Sequence, residues 1–75
     1  MQREWLIQKR NKLNLTQQEV ADLSNVSRPY YTMIEQGIRN PSVPSSKAIA
    51  KTLSFDWTYF FEEKGNEMTQ LKEVN

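Results

Sequence analysis

The sequence lacks two of the residue types most used in catalytic chemistry. It contains no cysteine and no histidine, which removes thiolate nucleophiles, imidazole bases, disulfides and nearly all zinc sites. No nucleophile–base constellation or phosphate-cradling glycine loop is present, so no enzyme, metal site, cofactor or small-molecule substrate is expected. What remains is recognition chemistry. If Tyr31 and Ile34 face inward, the 100° step of a helix places Arg28, Pro29, Thr32 and Met33 along one outward stripe. The forked guanidinium of Arg28 can donate two hydrogen bonds to guanine O6 and N7, a contact worth about 1–3 kcal/mol of discrimination. Pro29 offers a rigid apolar surface suited to a thymine methyl. These four residues are the candidate base readers.

Two helix signals separated by very little chain must position that stripe. Thr16 and Glu19 have the spacing of a capping box, which starts a helix near Gln17. Val20, Ala21 and Leu23 are read as its apolar face. It ends after about two turns at Ser24 and Asn25, residues that favour local hydrogen bonds and, for Asn, the left-handed backbone region. Val26 plugs the turn. The next helix carries Tyr30, Tyr31 and Ile34 on neighbouring turns and stops at Gly37, which takes positive φ without a Cβ penalty. Pro29 lacks an N–H, so either Ser27 caps this helix through Tyr30, or Arg28 is the cap and Pro29 the first helical residue. The small Ala21 allows the steep, close crossing of a helix-turn-helix.

The flanks are read in the same way. Arg3 to Lys12 forms a first helix with Leu6, Arg10 and Leu13 on one side, and Trp5 at the edge of the core. Asn14 permits a tight exit, and Leu15 packs under the Thr16 cap as a hydrophobic staple. Beyond Gly37, Ser42 caps a fourth helix with Pro44 in its first turn and Ala48, Ile49 and Leu53 buried. Ser54 and Phe55 turn the chain. Asp56 caps a last short helix whose apolar face is Trp57, Phe60 and Phe61.

Gln17, Ala21, Asn25, Val26, Ile34, Glu35 and Gly37, with Arg39, Pro41 and Ser42 beyond, stand in a recognisable spacing. From Leu6 to Phe61 the sequence resembles the Cro/CI/Xre-type helix-turn-helix proteins, the group that includes small phage repressors. The resemblance implies an all-α, compact five-helix domain whose third helix enters the major groove. It also implies a structural ion pair between Arg10 and Glu35, tying the first helix to the end of the third. A phosphate at Gln17, where a helix N-terminus favours an anion, is a further implication. Ser46 and Lys47 depart from the family pattern, which commonly has leucine there, and Tyr31 replaces a small aliphatic residue. A buried tyrosine needs a partner for its hydroxyl, and the sequence does not name one.

Contacts with the DNA backbone are assigned to Thr16, Gln17, Ser27, Tyr30, Arg39, Asn40 and Ser42. Such contacts set register and carry little sequence information. Tyr30 either donates to a phosphate or shields the helix pair. Five of the eight aromatic residues lie between 55 and 61. So small a core hides them poorly, and Trp57, Tyr59, Phe60 and Phe61 are expected at a homodimer interface.

Seventy-five residues allow one domain and a modest core. The division expected is a helix-turn-helix domain over 1–63 and a polar tail over 64–75, with a weak apolar stripe at Met68, Leu71 and Val74. The start lacks the hydrophobic run of a signal peptide and no long apolar segment follows, so a cytoplasmic protein without a membrane partner is expected. Net charge is only +1, yet residues 1–51 carry eight Lys/Arg against four Asp/Glu, and residues 52–75 carry two against five. That asymmetry suits a basic binding face with an acidic distal end. The leading expectation is a sequence-specific regulator, most often a repressor in this family, bound as a dimer to double-stranded DNA at a two-fold operator. The competing expectation is a protein-interaction module that keeps the fold and binds another polypeptide through its aromatic end.

Overall fold

The computed structural model describes residues 2–62, and the expected tail, including residues 64–75, lies outside them. Within these residues the chain is all-α. Four helices, α1 (Glu4–Lys12), α2 (Gln17–Leu23), α3 (Arg28–Glu35) and α4 (Val43–Leu53), are followed by a helical stretch at 59–62 that opens a fifth.

α1 starts without a side-chain cap, whereas α2, α3 and α4 each have one. Thr16 accepts from the Glu19 N–H at 3.0 Å while Glu19 Oε1 accepts from the Thr16 N–H at 2.8 Å, so both halves of the capping box are present. Ser27, not Arg28, caps α3: its hydroxyl accepts from the Tyr30 N–H at 3.3 Å, which places Arg28 and Pro29 in the first turn. Ser42 caps α4 through the Ser45 N–H at 3.3 Å. Asp56 accepts from both the N–H and the hydroxyl of Thr58, fixing the turn before 59–62. Three helix exits use left-handed residues other than glycine, namely Asn14 (φ 57°), Asn25 (φ 59°) and Ser54 (φ 62°). Asparagine tolerates this region; serine is the unexpected occupant.

α2 is the central helix, packed on both α3 and α4, while α1 packs on α3. Leu6, Val20, Ala21, Tyr31, Ile34, Ile49, Leu53 and Phe60 form the core cluster, with Trp5, Leu15, Val26 and Phe55 packed against it. Ala21 is fully buried at the α2–α3 crossing, where only a small side chain allows close approach.

Several apolar expectations are corrected. Leu13 caps the end of α1 and is 45% exposed, because the helix stops one residue short of the position that would carry it to the core. Leu23 is 66% exposed at the end of α2. The next residue, Ser24, takes the inward position and its hydroxyl lies 3.0 Å from that of Thr52 on α4. Ala48 is only partly covered, whereas Ser46 is fully buried and donates to the Ser42 carbonyl at 2.7 Å. α4 therefore buries a serine and satisfies its hydroxyl within the helix.

Candidate nucleic-acid interface

α3 meets the rest of the protein through a buried carboxylate. Glu35 ends the helix with its side chain pointing inward. Arg10 of α1 reaches it with Nε at 2.5 Å from Oε2 and Nη2 at 3.2 Å from Oε1, and Arg10 Nη1 donates to the Leu15 carbonyl at 3.0 Å. Tyr31 donates its hydroxyl to Oε2 at 2.6 Å, which identifies the partner this buried tyrosine requires. Gln17, the first residue of α2, donates Nε2 to Oε1 at 2.9 Å. One carboxylate thus ties α1, α2 and α3 together, fixing the angle at which α3 is presented.

The electrostatics follow from these contacts. Burial alone would push the Glu35 carboxyl up, but hydrogen bonds from Arg10, Tyr31 and Gln17 outweigh it and hold the group below the usual carboxylate range. The same pairing raises Arg10. Burial, and then the bond to Glu35, push the Tyr31 phenol far above its ordinary value, so it stays a donor.

On the opposite side of α3, Arg28, Pro29, Thr32 and Met33 line one open depression, with Gln17 at its edge. All four expected base readers are therefore brought together. Arg28 and Pro29 are exposed, and Thr32 and Met33 partly so. Gln17 opens α2 as expected, and its side chain turns toward the protein. Its Nε2 is held by Glu35 and its Oε1 accepts the Thr32 hydroxyl at 3.0 Å, so both polar atoms of the side chain face protein partners.

The expected backbone-contact residues divide by what their polar atoms already do. Thr16 and Ser27 act as caps by accepting, which leaves each hydroxyl a proton to donate outward. Tyr30 accepts from the Ser42 N–H at 3.1 Å, and its ring carries the Arg39 guanidinium at 5.4 Å from the centroid. Burial would raise the Tyr30 phenol, but donors at Ser45 and Ser42 prevail and lower it. Arg39 itself is exposed. Ser42 is occupied in building α4, its hydroxyl donating to Ser45 Oγ at 3.1 Å and its N–H to Tyr30. Asn40 Oδ1 accepts from Arg3 at 2.6 Å.

Arg3 was not singled out by its sequence position, and it is buried. It donates to the carbonyls of Ile34 (2.6 Å) and Arg39 (3.1 Å) as well as to Asn40, and its backbone N–H donates to the Glu35 carbonyl at 2.8 Å. A cation at the C-terminal end of α3 also complements the helix dipole. Nothing in its local sequence marks it, since an arginine next to a chain start reads as a solvated charge.

At the far end, Phe60 is 2% exposed and belongs to the core, a correction to its expected place at an interface. Trp5 explains this: its ring packs edge-on against Phe55, Tyr59 and Phe60 and roofs the aromatic group. Tyr59 and Phe61 remain about two-fifths exposed (42% and 39%), and Trp57, partly covered, stacks edge-on with Phe61 beneath Lys47.

A short α2, a tight turn and an α3 whose outer stripe is free of the core define a helix-turn-helix protein. The helix-turn-helix family model matches residues 6–60. An uncharacterized HTH-type transcriptional regulator of Bacillus subtilis (strain 168), YqaF, is 52% identical over 67 residues, covering 89% of this chain and 88% of that protein. The chain belongs to the Cro/CI/Xre-type helix-turn-helix family of transcriptional regulators. Among the described residues no helix is long and apolar enough to cross a membrane, and no cluster of metal-ligating side chains occurs.

Proposed function

We propose that this protein is a sequence-specific repressor that binds double-stranded DNA as a homodimer, with α3 in the major groove. The observation that carries the reading is the depression lined by Arg28, Pro29, Thr32 and Met33 on the outer side of a helix anchored from behind through Glu35. Arg28 is assigned to a guanine, and Pro29, Thr32 and Met33 to neighbouring base edges. Thr16, Ser27, Tyr30, Arg39 and the Asn40 amide are assigned to phosphates, which fix register. Gln17 and Ser42 serve through their backbone positions at the starts of α2 and α4. Repression follows from occupying promoter DNA. The dimer is assigned to the end of the molecule bearing Tyr59, Phe61 and the Trp57 edge, and would span half-sites about 34 Å apart.

Titration of a fluorescent promoter duplex at several salt concentrations tests the DNA reading. Affinity that falls steeply with salt is expected; absence of duplex binding at low salt would favour the interaction-module reading instead. Sedimentation tests the dimer. A species of twice the monomer mass on DNA is expected, and monomer alone at high micromolar concentration, with and without DNA, would remove that assignment.

A further inference from the structure

We propose that Gln17 fixes the polarity of Thr32, so that the Thr32 hydroxyl meets DNA only as a hydrogen-bond acceptor and selects a base bearing an amino group, adenine or cytosine, on the strand it faces. The inference rests on the DNA-binding reading above and deepens it at one position.

The chain of bonds has a single allowed direction. An ionised carboxylate accepts and cannot donate. The side-chain atom of Gln17 at 2.9 Å from Glu35 Oε1 is therefore the amide nitrogen, which turns the Gln17 carbonyl oxygen toward α3. Thr32 Oγ1 lies 3.0 Å from that oxygen, which is itself only an acceptor, so Thr32 must be the donor. A hydroxyl has one proton. With that proton held by Gln17, Thr32 Oγ1 has only lone pairs to present to the depression it shares with Arg28, Pro29 and Met33. Arg10, on the other side of Glu35, keeps the carboxylate charged and so holds the direction of the whole relay.

In the major groove an acceptor finds a partner at adenine N6 or cytosine N4, whereas guanine N7 and O6 and thymine O4 are themselves acceptors. Thr32 thus separates adenine and cytosine from guanine and thymine, and Gln17 is the positioning residue behind it. An unconstrained threonine would donate or accept according to the base and make no such distinction.

The test is selection of bound duplexes from a randomised library by the full chain, followed by competition binding, with folding of every variant checked by thermal melting. The wild type is expected to prefer adenine or cytosine about tenfold at one position. Thr32→Val should abolish that preference and leave the other positions unchanged, and Thr32→Ser should retain it. Gln17→Met, which removes both amide groups at similar length, should release the hydroxyl and let guanine and thymine gain to within about threefold at the same position. Should Gln17→Met fail to fold, the Thr32→Val and Thr32→Ser pair decides. A sequence-selective wild type whose profile is unchanged by Thr32→Val, or whose Thr32-dependent position carries guanine or thymine, overturns this proposal alone. An unchanged profile for folded Gln17→Met overturns it equally. A wild type that selects no sequence overturns the regulator reading along with it.

Discussion

Glu35 carries bonds from Arg10, Gln17 and Tyr31 on its two oxygens, and its side chain is 3% exposed against 15% for Arg10. Removing the guanidinium strands a buried charge with only neutral donors, which typically costs about 3–5 kcal/mol. Small domains have about 5–15 kcal/mol in total. Arg10→Ala should therefore shift the urea midpoint far down or unfold the chain, and an unchanged midpoint would show the pair to be dispensable. The pH dependence has a definite sign. Glu35 titrates below its ordinary value of 4.5 in the fold, so its contribution is fully present above that pH and is lost as pH falls through the lowered native value. Tyr31 acts at the other end. Its raised phenol keeps its contribution intact below the ordinary value of 10.0 and loses it as pH rises beyond. Stability measured from pH 2 to 11 should thus form a plateau with both edges, and Glu35→Gln should blunt the acid edge. The Arg10–Glu35 spacing was legible through family resemblance. Of the two further ligands of that carboxylate, Tyr31 lies one turn before Glu35 on α3, a local spacing that could have revealed it, whereas Gln17 becomes a neighbour only once α2 and α3 cross.

The helices themselves were the most legible part of the sequence, because their starts are local. Thr16 with Glu19, Ser27 with Tyr30, and Ser42 with Ser45 close hydrogen bonds across three residues, so spacing marks each start, and only the choice between Ser27 and Arg28 as the α3 cap needed the structure. Their exits and faces were harder. Leu23 lies outside and Ser24 inside because α2 ends where its face would have to turn toward α4, and which of two adjacent residues points inward depends on that packing. Ser54 is the plainest case. It holds φ 62° after α4 without the glycine or asparagine such a position favours. Ser54→Gly is expected to relieve about 1 kcal/mol of backbone strain. For a domain of this size that corresponds to a rise in Tm of about 4–8 °C. A fall in Tm would mean that the serine side chain contributes more than its backbone costs.

At the scale of the molecule, the excess of basic residues before position 52 overstates the charge offered to DNA. Arg3 and Arg10 are held by internal partners, Lys9 lies over Phe55 at 5.4 Å, and Lys47 lies over Trp57 at 5.0 Å. Arg28 and Arg39 are the exposed arginines beside the depression and the Tyr30 ring. Binding should therefore show a modest salt slope, and Arg39→Ala should weaken cognate and scrambled duplexes alike while reducing that slope by about 1. Loss confined to the cognate duplex would move Arg39 from phosphate to base contact. The sequence could count these charges but could not sort them, since burial of Arg3 depends on carbonyls more than thirty residues away.

The central claim is that the outer stripe of α3 reads bases, and Arg28→Ala binding measured side by side on the selected operator and on a scrambled duplex tests it most directly. A loss of about fivefold to 150-fold on the operator, with little change on the scrambled duplex, is the predicted result for a bidentate guanine contact worth about 1–3 kcal/mol. Equal losses on the two duplexes would contradict it.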